Sequence, residues 1–328
     1  MKRAGNLIDR IADLDNLRWA VWKAAKGKRY STKVIDYQKN MDNNLLLLRA
    51  QILCGRVDVG NYHYFTIYDP KKRKICASAF KEQVLHHALM TVCHDFFEQK
   101  QIFDSYASRK GKGTYAALGR AKKYAKRYAF FLKLDVKKFF ASIHHDILKR
   151  QLGRLFKDVR LLSIFGQIID SYTDAPGRGV PIGNLCSQYF ANHYLNGLDH
   201  FIKEKLAMPY VRYMDDMILW HDDKQVLKNA FGAINEYVED RLALSLKPKL
   251  LNYSKYGLPF LSYLVFPYDV KLGKRSRKRF VKKIKKLNDK YHSGEWDEAT
   301  CRHRGLSLVA FTMHANALNW RKNVLLSL

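Results

Sequence analysis

Tyr213-Met214-Asp215-Asp216 stands between two apolar, β-rich runs, Tyr210-Val211-Arg212 before it and Met217-Ile218-Leu219-Trp220 after it. That pattern predicts a strand–turn–strand hairpin whose tip carries two adjacent carboxylates on a rigid support. Neighbouring carboxylates repel one another, and a turn without a task is more cheaply built from Asn, Gly or Ser. A bound divalent cation turns the repulsion into attraction. An Asp pair can equally be a solvated turn, which is the reading for Asp222-Asp223 a few residues on. Whether Asp215 and Asp216 differ from that pair depends on the rest of the chain.

Well upstream, Ala129-Phe130-Phe131-Leu132-Lys133-Leu134-Asp135-Val136 is a nearly continuous apolar run closing on one acid, followed by Lys137-Lys138-Phe139-Phe140. An Asp that ends a buried strand is costly unless something compensates it, and a metal shared with Asp215 would do so. Composition points the same way. The 328 residues, 47% hydrophobic, suffice for two domains or for one large domain with subdomains. The 59 Lys and Arg against 30 Asp and Glu leave a formal charge of +29, which calls for a polyanionic partner, nucleic acid before an anionic membrane surface. No apolar run approaches the ~20 residues of a spanning helix. The basic start runs into Asp9, Arg10 and Asp13 with no apolar signal core, so nothing directs export. Five Cys (54, 76, 93, 186, 301) include no Cys-x-x-Cys pair, so neither a disulfide framework nor a zinc site is expected, in keeping with a reducing cytoplasm.

Taken in order, residues 6 to 60 read as helical, with a first stretch through Leu7, Ile8, Ile11, Leu14 and Leu17 and a second from about Asp42 to Leu53, stopped at Cys54-Gly55. A hairpin follows, Tyr62 to Tyr68, a turn at Asp69-Pro70, then Lys71-Lys72-Arg73-Lys74. Four consecutive cations on a β-turn can be a solvated run or a grip for a triphosphate. A helix from Lys81 to about Gln99 carries His86 and His87, which read as packed or surface imidazoles. Ser105 to Thr114 is a basic Gly loop without Walker spacing, suited to a sugar–phosphate backbone. One helical stretch is expected from Ile147 to Tyr172, and one amphipathic helix from the loop Gly177 to Gln188 to about Leu206. Beyond the Asp hairpin come a helix from Lys224 to Leu242, a hairpin through Phe260 to Phe266, and a tail with eleven Lys or Arg and one acid between Lys271 and Lys290, its apolar stripe being Phe280, Val281, Ile284 and Leu287. We find no internal repeat and no low-complexity linker, so a single cooperative unit with a helical appendage is expected.

An Asp at one strand end and a pair of Asp on a later hairpin, in a strongly basic α+β chain, is the arrangement that two-metal phosphoryl transfer requires. Two Mg²⁺ ions about 3.5–4 Å apart are bridged by carboxylates from separate rigid strands, and they serve an attacking 3′-hydroxyl and a leaving pyrophosphate. At this point the residues resemble a known family. Tyr213-Met214-Asp215-Asp216 is similar to the Y-x-D-D of reverse transcriptases, and Leu132 to Phe140 resembles their strand bearing the first catalytic Asp. The order of the Lys71/Arg73 hairpin, the Arg109 loop, Val180-Pro181-Ile182-Gly183 and the closing hairpin also matches, over roughly residues 6 to 270.

That resemblance implies an α+β right-hand polymerase with fingers, a palm of antiparallel sheet backed by helices, and a helical thumb. The segments would be 1–128 (N-terminal helices and fingers), 129–270 (palm, with fingers contributions) and 271–328 (basic thumb or C-terminal region). Asp135, Asp215 and Asp216 would be catalytic and hold two Mg²⁺, with the Val136 carbonyl as a further ligand. Phe140 would be the steric gate against a ribose 2′-hydroxyl, while Lys71, Arg73 and Arg109 would hold the dNTP or the template. Lys249 is a candidate general acid.

Where most bacterial and intron-type relatives read Pro-Gln-Gly-x-x-x-Ser-Pro, this chain has Pro181-Ile182-Gly183-Asn184-Leu185-Cys186-Ser187-Gln188. Together with Asn6-Leu7-Ile8-Asp9 and Ser187-Gln188-x-Phe190-Ala191-Asn192, this resembles the reverse transcriptases of diversity-generating retroelements. The resemblance implies that Ile182, Gly183, Ser187 and Gln188 line the nucleotide or template. It also implies that a template-repeat RNA is copied, through an RNA/cDNA duplex, into cDNA with errors at adenines, for mutagenic retrohoming into a variable gene. A small basic helical accessory protein, able to oligomerise, would be the partner, in a bacterial or phage-encoded cytoplasmic ribonucleoprotein with no membrane association. Replacing the amide by Ile182 leaves an apolar wall that loosens discrimination. Gln83 for Arg and Ser262 for the Gly of Phe-Leu-Gly-Tyr are further departures. The alternatives are a retron, group II intron-type or abortive-infection reverse transcriptase, or, from another class, an inactive RNA-binding scaffold.

Overall fold

The computed structural model describes residues 3–68 and 72–327. Its contacts divide the chain into two compact units, each assembled from separated stretches of sequence. The first takes the residues up to Phe103, Val136–Phe201 and Ala233–Lys247, and the second takes Asp104–Asp135, Ile202–Gly232 and the chain from Pro248 onward. Neither unit is a continuous run, which a linear reading for linkers does not anticipate.

In the first unit, helices Ile8–Ile11, Leu14–Ala25, Thr32–Lys39 and Met41–Cys54 occupy the stretch expected to hold two. Asp13 starts the second of them, its carboxylate accepting from the amides of Asp15 and Asn16, as an N-cap should. Gly55 ends the fourth at φ +69°, the left-handed cap that glycine takes without a Cβ clash. Strands β1 (Tyr62–Ile67) and β2 (Arg73–Ser78) pair antiparallel, with Tyr62 opposite Ser78 and Ile67 opposite Arg73. The expected turn at Asp69-Pro70, and Lys71 with it, lies outside the described residues. Helix Phe80–Glu98 packs on Leu14–Ala25 and on Leu185–Tyr194.

Two expected helices are broken in the structure. Ile147 to Tyr172 is two helices, His145–Leu155 and Val159–Asp170, because Phe156 is extended and Asp158 caps a new start. One Asp158 oxygen accepts from the Leu161 amide, and the other accepts from Leu7 and Ile8. The helix expected to reach Leu206 is Leu185–Tyr194, then Asn196–His200, then a π-helical turn Phe201–Lys205.

The second unit is built on four strands, β3 (Phe130–Asp135), β4 (Tyr210–Tyr213), β5 (Asp216–His221) and β6 (Leu250–Tyr253), in the antiparallel order β4-β5-β3-β6. β6 was not expected. The hairpin expected at Phe260 to Phe266 is a three-stranded sheet, β7 (Leu258–Phe260), β8 (Tyr263–Val265) and β9 (Val270–Leu272). Phe131, Val211, Ile218 and Trp220 form one core with Ala117, Leu118 and Ala121 of helix Thr114–Arg127 and with Leu258, Phe260 and Tyr263. Helix Lys224–Leu242 carries the chain from the second unit into the first.

The cationic tail forms helices Lys274–His292, Glu298–Thr312 and Leu318–Leu326. Only Phe280 and Ile284 of its expected apolar stripe are fully buried. Cys76, Cys93, Cys186 and Cys301 are buried as free thiols. Among the described residues no helix is long and apolar enough to cross a membrane.

Candidate active site

All three aspartates lie in the second unit at one end of its four-stranded sheet. The β3–β5 register sets Asp135 opposite Asp216, and Asp215 is the turn residue immediately before β5. Directly opposed strand positions bring their Cβ atoms within about 4.5–5.5 Å, so two strands bring carboxylates together at one place on the ladder.

The turn that presents Asp215 is shaped by a neighbour. Met214 has φ +54°, a left-handed conformation uncommon for a side chain of its size. Nη1 of Arg212, a wholly buried residue, donates to the Met214 carbonyl at 3.1 Å. On its other side β4 meets the segment Asp104–Tyr106. The Arg212 amide donates to Asp104 O (2.9 Å), and the Tyr106 amide donates to Arg212 O (3.0 Å).

Asp104 is a buried hub, accepting from Arg120 Nε at 2.8 Å, Lys203 Nζ at 3.0 Å, Tyr106 Oη at 3.2 Å and Tyr124 Oη at 3.3 Å. Burial alone would raise its pKa, but the hydrogen bonds from Arg120 and Lys203 hold the carboxyl below its ordinary value. The same segment leads to half-buried Arg109, whose Nη1 donates back to Ser105 O at 2.7 Å. That tether fixes the expected basic Gly loop to the strand carrying Tyr213.

Lys133 is a participant that the sequence reading missed. Its ammonium lies 2.9 Å from Asp216 Oδ1, an ion pair rather than a directed hydrogen bond, and it donates to Pro259 O at 3.0 Å. The signal was present, because alternation along β3 puts Lys133 on the same face as Asp135. Among the described residues no three His, Cys, Asp or Glu side chains are gathered into a cation cage. Mg²⁺ seldom uses one, being held commonly by one or two carboxylates with waters and substrate phosphates completing its shell. Opposed Asp135 and Asp216, with Asp215 beside them, fit that partial donor set, and Lys133 shows that Asp216 accepts a positive charge at bonding distance.

Lys249 is in the second unit, its ammonium 3.7 Å from the centre of the Phe231 ring, and the remaining expected residues belong to the first unit. Arg73 is exposed at the start of β2, and Val136 is buried where the first unit resumes. Phe140 is half-buried in the short helix Phe139–Ser142, and its carbonyl accepts from the Val180 amide at 2.9 Å. Ile182, also half-buried, accepts at its carbonyl from the Cys76 amide of β2 at 2.9 Å. Gly183 sits at φ +123°, where a Cβ would lie 3.0 Å from Ile75 Cγ2 and 3.1 Å from Cys76 O, so a larger residue is strained by its backbone conformation and crowded against β2. One backbone loop is therefore laced to Phe140 at one end and to β2 at the other. Ser187 is buried and Gln188 half-buried in the first turn of helix Leu185–Tyr194.

Residues 69–263 match the sequence pattern of the family described as reverse transcriptase (RNA-dependent DNA polymerase). The chain belongs to the reverse transcriptase family. Similar proteins include YkfC of Escherichia coli, 23% identical over 290 residues that cover 73% of this chain and 75% of that one. A putative COX1/OXI3 intron 2 protein of Saccharomyces cerevisiae is 20% identical over 273 residues, covering 62% of this chain but 31% of its own length. The chain thus spans under a third of that intron-encoded relative. Among solved structures, apo telomerase from Candida tropicalis truncated from its C-terminal domain is 15% identical, with 65% of this chain and 55% of that chain covered and a TM-score of 0.49. The family match and the antiparallel sheet β4-β5-β3-β6 with its flanking helices are consistent with a right-hand polymerase fold.

Two departures from the family pattern acquire a setting. Gln83 donates through Nε2 to Ser78 O at 2.7 Å and accepts from Lys28. Ser262 has φ +75°, a conformation that glycine takes without strain.

Proposed function

We propose that this reverse transcriptase is an RNA-directed DNA polymerase whose chemistry is carried by Asp135, Asp215 and Asp216. The observation that carries the reading is the β3–β5 register, which opposes Asp135 and Asp216 from two strands with Asp215 on the adjoining turn. Carboxylates of three residues held at one sheet end on a backbone that Arg212 and the Asp104 hub restrain are pre-organised to receive two Mg²⁺ ions. Such ions, when bound, supply the positive charge that eases deprotonation of a primer 3′-hydroxyl and departure of pyrophosphate from a dNTP. The protein's own contribution is to fix those carboxylates. Lys133 neutralises Asp216 while no cation is bound. The Val136 carbonyl is a further candidate ligand. Phe140 would exclude a ribose 2′-hydroxyl, while Lys71, Arg73 and Arg109 would take phosphates of the dNTP or of the template RNA.

Within that activity, the motif Pro181 to Gln188 favours a diversity-generating retroelement enzyme. It would copy a template-repeat RNA with errors at adenine and work with a small basic accessory protein. The support is Ile182 in place of an amide on a loop laced between Phe140 and β2, which removes a polar reporter of the base and substitutes an apolar wall.

Extension of a DNA primer on an RNA template with dNTPs and Mg²⁺ tests the first reading: Asp135→Asn or Asp215→Asn should abolish it, and substantial retained synthesis would sink the assignment. Sequencing the cDNA tests the second. Errors concentrated opposite template adenine and reduced by Ile182→Gln support it, whereas a flat spectrum points to a retron, intron-type or abortive-infection enzyme.

A further inference from the structure

The loop that carries Ile182 and Gly183 begins at Gly179, and Gly179 is clamped. Its amide donates to Ile143 O at 2.9 Å, and the next amide, Val180, donates to Phe140 O at 2.9 Å. Its carbonyl faces the ring of His145, with Nε2 at 2.7 Å. A carbonyl can only accept, so Nε2 carries the hydrogen. The other ring nitrogen, Nδ1, lies 3.3 Å from Asp170 Oδ1, a contact that holds the ring when Nδ1 carries a hydrogen as well. Asp170 is fixed in turn by the Lys149 ammonium at 2.7 and 2.6 Å. His145 is 5% exposed and is aimed by this chain of contacts at a single backbone oxygen.

The backbone there cannot relax into an ordinary conformation on its own. Gly179 has φ +108°, and a Cβ would meet the Asp174 amide nitrogen at 2.9 Å. The segment before it is bound as well, since the His145 amide donates to Gly177 O at 2.9 Å and Arg178 Nη1 donates to Ala243 O at 3.0 Å. From Gly177 to Gly183 the chain is thus a strap with three anchors: helix His145–Leu155 at its start, Phe140 in its middle and β2 at its end. Removing the imidazole leaves a buried carbonyl without its donor, a state that proteins avoid by moving the backbone. Any such movement shifts Ile182 and the Val180–Phe140 bond together.

We propose that His145 is a positioning residue, held by Asp170 and Lys149, which fixes the Gly179–Gly183 strap and thereby sets how strictly an incoming nucleotide is selected. The proposal rests on the polymerase reading above, in which Phe140 and Ile182 face the nucleotide.

The test uses the full chain on an RNA template with a DNA primer, measuring single-nucleotide incorporation for the matched dNTP, a mismatched dNTP and the matched rNTP. For His145→Leu the ratio of kcat/KM between matched and mismatched dNTP should fall by about fivefold or more, the size of one hydrogen bond. KM for the matched dNTP should rise by a larger factor than kcat falls. His145→Gln, whose amide can still donate to Gly179 O, should recover most of the ratio. Asp170→Asn, at a half-exposed position that tolerates change, should move it in the same direction as His145→Leu but less. Wild-type discrimination in both His145→Leu and Asp170→Asn overturns the proposal. So does a loss that merely tracks the folded fraction, read by circular dichroism, with no recovery in His145→Gln. A wild-type chain that extends no primer overturns the polymerase reading itself and takes the proposal with it, an outcome distinct from failure of the clamp alone.

Discussion

Lys133 and Ser262 show how single residues carry both cost and function. The Lys133 ammonium lies against Asp216, so it competes with any divalent cation for that carboxylate while offsetting the repulsion between Asp216 and Asp135. Lys133→Gln should therefore tighten divalent-cation binding and lower the cation concentration at half-saturation, measured by titration calorimetry on the otherwise intact chain. Weaker binding would mean that Lys133 serves to organise the carboxylates. Ser262 carries the opposite lesson. Its φ of +75° costs a side-chain-bearing residue roughly 1 kcal/mol that glycine does not lose, while its carbonyl is used by Ser276 Oγ and the Gly273 amide. Ser262→Gly keeps those backbone bonds and should raise thermal stability by roughly 1 kcal/mol. Both residues could be read from the sequence only in part. Alternation placed Lys133 beside Asp135, but no local pattern announces a positive φ at a serine.

The elements were legible where periodicity is strong and misjudged where a side chain intervenes. The hairpin bearing Asp215 and Asp216, helix Phe80–Glu98 and helix Lys224–Leu242 follow from alternation and from apolar spacing. The break between His145–Leu155 and Val159–Asp170 does not, since apolar residues continue through it. It exists because Asp158 caps the second helix and also accepts from Leu7 and Ile8, bonds across a sequence separation that no local window spans. Asp158→Ala should cost about 1–2 kcal/mol and raise amide exchange at Leu7 and Ile8 along with the first turn of Val159–Asp170. Protection lost in that helix alone would show that the N-terminal segment is held by its apolar contacts. β6 was missed for a related reason. Leu250 to Tyr253 is four residues long, and its strand character comes from pairing with β3.

On the scale of the molecule, charge and burial set the response to acid. Burial drives the His86 imidazole down to about 3, with the neighbouring His87 adding to it. Burial, then Lys23 and Lys28, takes His87 to about 4, and burial takes His193 to about 4. A free imidazole ionises near 6.5, so between about pH 6.5 and pH 4 the unfolded chain binds protons that the folded chain refuses. Stability falls as pH drops through that window. Glu82 opposes this. Burial raises its carboxyl to about 7, so the folded chain holds a proton there that the unfolded chain lacks, and that contribution is lost as pH rises toward 7. With three imidazoles against one carboxyl, and a formal charge of +29 that acid only increases, thermal melts should show a lower midpoint at about pH 4.5 than at about pH 6.5. A flat or inverted profile would mean that Glu82 dominates.

Sequence alone determined that the chain is strongly basic, that Asp135 and Asp215-Asp216 lie at strand ends, and that a family pattern links them. These follow from composition, from period-two alternation and from ordered motifs, all of which are local or additive along the chain. Only the tertiary structure decided that Asp135 faces Asp216, that Lys133 pairs with Asp216, that Arg212 holds the turn's carbonyl, and that the Ile182 loop is strapped between Phe140, His145 and β2. Each of those depends on register and on hydrogen bonds between residues far apart in sequence. Such bonds are chosen by whichever packing buries the apolar faces while leaving the fewest polar groups unpaired, and that competition is settled by the whole fold.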